Sequence, residues 1–196
     1  MSEAVQIPAP FFSDNLADIP GWTHAGPQGD ALLWAKGYND GGGTVYATGD
    51  GNQFVTLGGG CCGRPPGSPS WTTTIDGLTS GARYVVHFMT SNETDALSQT
   101  MMAQVDSGPV LSYTPPNMAF ANYWGNWTAE SYAFVAAGSS ASLTFSVDSI
   151  VQDMGLDAVS VSAGIPESST WAMMLAGFAA LGFLGYRASG RRAVAA

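Results

Sequence analysis

From Ser168 to Tyr186 the chain carries no charged residue, and Arg187, Arg191 and Arg192 lie just beyond. As a helix rising ~1.5 Å per residue this span reaches about 28 Å, close to the ~30 Å hydrocarbon thickness of a bilayer. The stretch from Trp171 to Tyr186 has no polar face, whereas a helix packed on a globular core normally keeps one. Gly177, Gly182 and Gly185 weaken a helix in water but are at home in lipid, where the backbone must bond to itself. The expectation is a single C-terminal transmembrane helix over residues 171–186. Its basic tail, 187–196, stays on the cytoplasmic side and everything before residue 165 lies outside the cytoplasm.

Several features of this tail occur together: Pro166-Glu167-Ser168, a short polar spacer, Thr170-Trp171-Ala172-Met173-Met174-Leu175, a Gly/Ala/Phe/Leu helix and the cluster Arg187, Arg191, Arg192. In that order they resemble a PEP-CTERM sorting tail, although Ser168 stands where the usual motif has a second proline. Bacteria with Gram-negative envelopes carry such tails on exported proteins. The resemblance implies an exosortase as processing partner, insertion in the inner membrane before processing, and a final location at the cell surface or in the extracellular matrix.

Ahead of the linker at residues 164–170, the body holds fourteen of the fifteen acidic residues but only Lys36, Arg64 and Arg83 as cations. Such an acidic body is repelled by phosphate backbones and anionic lipid, which argues against nucleic-acid binding and leaves divalent cations or neutral polymers as partners. Residues 1–20 show neither a basic leader nor an apolar core of secretory type, so the expectation is a true start farther upstream, the alternative being that the C-terminal helix alone directs insertion. The two cysteines are adjacent, Cys61-Cys62, in a Gly/Pro-rich stretch. Two readings stand: a strained vicinal disulfide, or a loop with no disulfide framework.

Residues 21–163 alternate short β-branched or aromatic runs with turn signals. Strands are expected at 31–35, 44–47, 53–57, 71–75, 82–90, 98–105, 110–113, 126–136, 141–147 and 155–163. The run from Ala82 to Thr90 is apolar on both faces and reads as a central strand, while Leu143, Phe145 and Val147 alternate with Ser142, Thr144 and Ser146 as a half-buried face. Ala137-Gly138-Ser139-Ser140 reads as a hairpin joining its neighbours. About ten short strands without a helix point to an all-β fold, a jelly-roll β-sandwich followed by the membrane helix.

The order of Gly21-Trp22-Thr23, Asp50 to Leu57, Thr74 to Phe88, Trp127, Tyr132 to Ala137 and Gly155 to Val161 resembles the milestones of galactose-binding-like jelly rolls. That group includes carbohydrate-binding modules. The resemblance implies a structural calcium ion where first and last strands meet, held by Asp157 in Leu-Asp-x-Val and by Asp14. The other reading of Asp157 is a turn cap accepting backbone hydrogen bonds.

Sugar recognition uses exposed aromatic rings against pyranose faces, and Trp34, Tyr38, Tyr123 and Trp124 lie in or beside loops. Trp22, Trp71 and Trp127 read as packing residues. No catalytic residue is assigned, because only His24 and His87 are present and no Gly-x-Ser-x-Gly elbow appears. His87 reads as a packed or surface histidine. The leading functional class is an exported, non-catalytic envelope protein that binds polysaccharide. The alternatives are a structural or adhesive matrix protein, and a glycan hydrolase whose acid pair is not evident.

Overall fold

The computed structural model describes residues 12–13, 19–26, 31–37, 47–58, 69–93, 99–116, 124–147, 153–164, 173–181 and 183. Asp14, Tyr38, Cys61, Cys62, Tyr123, Pro166, Glu167, Ser168, Arg187, Arg191 and Arg192, and most of the strand expected at 44–47, lie outside the described residues. The chain divides into two compact units, Met1–Ala163 and Gly164–Ala196.

In the first unit the strands are β1 (Phe12–Ser13), β2 (Trp22–Ala25), β3 (Ala31–Ala35), β4 (Gln53–Leu57), β5 (Ser70–Asp76), β6 (Arg83–Asn92), β7 (Met101–Val105), β8 (Leu111–Tyr113), β9 (Thr128–Val135), β10 (Ser140–Val147) and β11 (Met154–Ala163). They form a six-stranded sheet, β1-β3-β4-β11-β6-β9, and a five-stranded sheet, β2-β5-β10-β7-β8. Each pairing is antiparallel. The fold is an all-β two-sheet sandwich of jelly-roll type, as the spacing of strands and turns predicts.

The core sits between the sheets because one residue in two along each strand is apolar and faces inward. From the five-stranded sheet come Trp71, Met101, Ala103, Val105, Ala141, Leu143, Phe145 and Val147, and from the six-stranded sheet Leu57, Val86, Phe88, Tyr132, Met154 and Leu156. Phe88 meets Phe145 across the gap with ring centroids 4.9 Å apart, at an edge-to-face angle of 67°. Burying side chains of this size contributes ~1.5–3 kcal/mol each. Strand β6 is hydrogen-bonded on both sides, to β11 and β9. Its two faces differ, however: Val86 and Phe88 are buried while His87 is exposed.

The expected hairpin at residues 137–140 is not formed. Strand β9 belongs to the six-stranded sheet and β10 to the five-stranded one, so this segment crosses between layers. A tight hairpin needs φ above zero at its centre, and none of residues 137–139 is left-handed. The crossing is tied instead to the β5–β6 connection, which makes the opposite transit. Leu78 N donates to Ser139 O at 2.9 Å, Gly81 N to Ala136 O at 2.8 Å, and Ser80 Oγ to Ala137 O at 3.0 Å.

In the second unit, residues 173–181 and 183 are helical, and Met173, Met174, Leu175, Phe178, Leu181 and Phe183 are exposed. Among the described residues no helix is long and apolar enough to cross a membrane. The ends of the span expected over 171–186 fall outside them.

Candidate functional site

A second, smaller apolar cluster lies on the other side of the six-stranded sheet. Along β4 the side chains alternate, so Val55 and Leu57 join the main core while Phe54 turns to the outer face, where it is 2 % exposed against Trp124. Trp34 of β3, in register with Phe54, and Trp127 pack against this pair and are half-buried. The Phe54 ring lies 5.2 Å from both the Trp124 and Trp127 rings, centroid to centroid. Trp34 Nε1 donates to Thr56 Oγ1 at 3.3 Å, which fixes the indole against β4.

The cluster needs a bare sheet beneath it. A Cβ on Gly155 of β11 would stand 2.7 Å from Trp127 Cη2 and 3.0 Å from Trp124 Cε3. A Cβ on Gly49 would stand 3.0 Å from Met89 Sδ and 3.1 Å from Trp127 Cδ2. The Trp127 indole therefore packs closely on two glycines.

Beyond the aromatic cluster the outer face opens into a shallow floor of small and polar side chains. Ser131 of β9, His87 of β6 and Ser160 of β11 lie in one cross-strand row, and all three are exposed. Ala133, Val85 and Ser162 form the next row, and His87 Nε2 pairs with Ser162 Oγ at 3.0 Å. The serines of β11 reach this face because of a bulge between Asp157 and Ser160, where Ala158 is left-handed at φ 54°. The extra residue keeps Leu156, Val159 and Val161 all on the core. A non-glycine residue in that conformation costs about 1–2 kcal/mol.

Asp157 sits at this bulge. Its Oδ1 accepts from Ala158 N at 2.7 Å and its Oδ2 from Asp50 N at 2.8 Å. Burial pushes its carboxyl above the usual carboxylate range, opposed by N–H donors from Asp50, Ala158 and Gly49, with the Asp50 charge adding to the rise. A calcium site needs six to eight oxygens around the ion, whereas both Asp157 oxygens face N–H groups. Among the described residues no three His, Cys, Asp or Glu side chains converge. These contacts are those of the turn-cap reading of Asp157, while Asp14, its expected partner around a calcium ion, lies outside the described residues.

Of the four aromatics expected to face a ligand, Trp34 and Trp124 come together in the outer cluster. Trp124, at 1 % exposure, is a packing residue rather than an exposed platform. Trp127, expected to pack, is half-buried at the edge of the open floor, while Trp71 is in the main core. The floor residues His87, Ser131, Ser160 and Ser162 were not expected in a site. The alternation of His87 with Val86 and Phe88, and of serines with Val159 and Val161, carried the available signal.

No family model matches the sequence, and no curated protein matches it. Solved structures are similar to the body. One is the K1 cleaved adhesin domain of Lys-gingipain from Porphyromonas gingivalis W83, with a TM-score of 0.51 and 17 % identity over 74 % of this chain and 92 % of that one. Another is TmCBM61 in complex with β-1,4-galactotriose, with a TM-score of 0.50 and 15 % identity over 74 % of this chain and 90 % of that one. At such identities the likeness shows a shared sandwich fold.

Proposed function

We propose that residues 21–163 form a non-catalytic module that binds neutral polysaccharide along the outer face of the six-stranded sheet. One observation carries this reading: half-buried Trp34 and Trp127 share one aromatic cluster on the sheet face that also carries exposed serines and one histidine. Indole rims offer apolar surface to the C–H faces of a pyranose, and hydroxyl and imidazole groups fix its orientation. The likeness in fold to a structure holding a galactotriose supports the same ligand class. Neutral sugars suit the face better than anionic ones, since the whole body carries three cations against fourteen acids. Glycan hydrolysis needs two carboxylates facing the sugar, and none of His87, Ser131, Ser160 and Ser162 on this face is an acid, which favours binding over hydrolysis.

The test is electrophoresis of the full chain through gels containing galactan, xylan or β-glucan. Retardation in one gel, relieved by Trp34→Ala, supports the reading. Unretarded migration in all of them, with folded protein, removes it.

The tail gives this module its place in the cell. We infer an exported cell-envelope protein whose apolar C-terminal segment inserts in the inner membrane and is handled by an exosortase. The uncharged span from Ser168 to Tyr186, the arginines after it and the exposed apolar helix residues support this. Fractionation of the host with and without its exosortase tests it, and an intact chain in the cytosol of both strains would overturn it.

A further inference from the structure

The six-membered ring of the Trp127 indole lies close to two residues that lack a side chain, Gly49 at Cδ2 and Gly155 at Cη2. Gly155 belongs to β11, so its position is set by the sheet. Gly49 belongs to the turn before β4 and has no ladder of its own. What joins that turn to β11 is Asp157, two residues after Gly155, whose Oδ2 accepts from Asp50 N while Oδ1 accepts from Ala158 N in the bulge. Within the turn, Thr48 Oγ1 donates to Gly51 O at 3.0 Å and Gly51 N to Asp50 Oδ1 at 2.8 Å, so it moves as one piece.

The geometry points to Asp157 as a positioning residue for the polysaccharide face, holding the Trp127 ring through the 48–51 turn without a bound cation. This rests on the binding reading above. Both carboxylate oxygens are committed to backbone donors, and among the described residues no acid cluster surrounds them. The protein contains its own control. Asp106, itself left-handed at φ 49°, also caps a backbone donor, its Oδ1 accepting from Ser142 N at 2.8 Å. That staple joins the end of β7 to β10 in the five-stranded sheet, away from Trp127.

The experiment compares full-length wild type, Asp157→Ala, Asp157→Asn and Asp106→Ala by tryptophan near-ultraviolet circular dichroism and by polysaccharide retardation, each in calcium and in EDTA. Asp157→Ala is expected to alter the tryptophan band and weaken retention about tenfold, equally in both buffers. Asp157→Asn keeps one acceptor and falls between, which covers the case in which the alanine variant does not fold. Asp106→Ala leaves band and retention as in wild type. An unchanged band in both Asp157 variants overturns the inference. So does calcium raising the melting temperature of wild type but not of Asp157→Ala, which would make the carboxylate a metal ligand. Should wild type bind none of the polysaccharides, the functional reading fails alone, and the tryptophan band still decides the role of Asp157.

Discussion

The Trp127 indole rests on the bare backbone of Gly155 so closely that a Cβ there would lie 2.7 Å from Cη2. The partner of that contact is a rigid ring already pressed on Phe54, so it has little room to give. Gly155→Ala is therefore expected to cost ~1–3 kcal/mol, the range for overpacking a well-filled site. Urea denaturation measures it. A variant as stable as wild type would mean that the ring is free to lift.

Two tryptophans of the same cluster are expected to separate stability from binding. Trp124 is 1 % exposed, and truncating it to alanine empties a packed site, at a cost of ~3–5 kcal/mol. Trp34 is half-buried at the face. Trp34→Ala is expected to reduce polysaccharide retention about tenfold while costing much less stability than Trp124→Ala. Denaturation and affinity electrophoresis on the same samples check both, and equal losses of stability would contradict the division.

Tyr113 is expected to make the protein fragile in alkali. Burial, with smaller contributions from the charges of Glu130 and Tyr132, raises its phenol from 10.0 to about 12. Between these values the unfolded chain releases the proton and the folded chain keeps it. Stability is thus intact below pH 10 and falls as pH rises through that window. In the folded state the hydroxyl donates to Ser131 O at 2.8 Å, a bond that ionisation abolishes. Tyr113→Phe should lose about 1 kcal/mol at neutral pH, the net worth of a typical hydrogen bond, yet flatten the alkaline decline. Thermal melts from pH 8 to 12 test the sign.

The strands were legible in the sequence because period-two alternation is a local signal. Leu143, Phe145 and Val147 face the core as their spacing demands, and β10 runs from Ser140 to Val147. Which sheet a strand joins is not local. Ala137-Gly138-Ser139 resembles a hairpin by composition, but its backbone bonds go to the β5–β6 connection, some sixty residues earlier in the chain. The candidate site was half legible for the same reason. Trp34 could be named from its residue type, whereas the burial of Trp124 depends on Gly155 and Phe54, which only the sheet brings near. The bulge at Ala158, which turns Ser160 and Ser162 outward, shows in the sequence only as the three-residue step from Leu156 to Val159.

The tail can be tested apart from the ligand. Met173, Leu175, Phe178, Leu181 and Phe183 are 60–76 % exposed, a density of apolar surface that water does not favour. Moving such side chains into lipid is worth ~1.5–3 kcal/mol each, so five together supply on the order of 10 kcal/mol. The core of the body is built from residues between Leu57 and Leu156, all in the first compact unit. Deleting residues 164–196 is therefore expected to leave the urea midpoint of the body unchanged, while the protein moves from the detergent-rich to the aqueous phase of a Triton X-114 separation. A lowered midpoint would show that the sandwich needs its tail for stability, and aqueous partition of the full chain would remove the membrane reading.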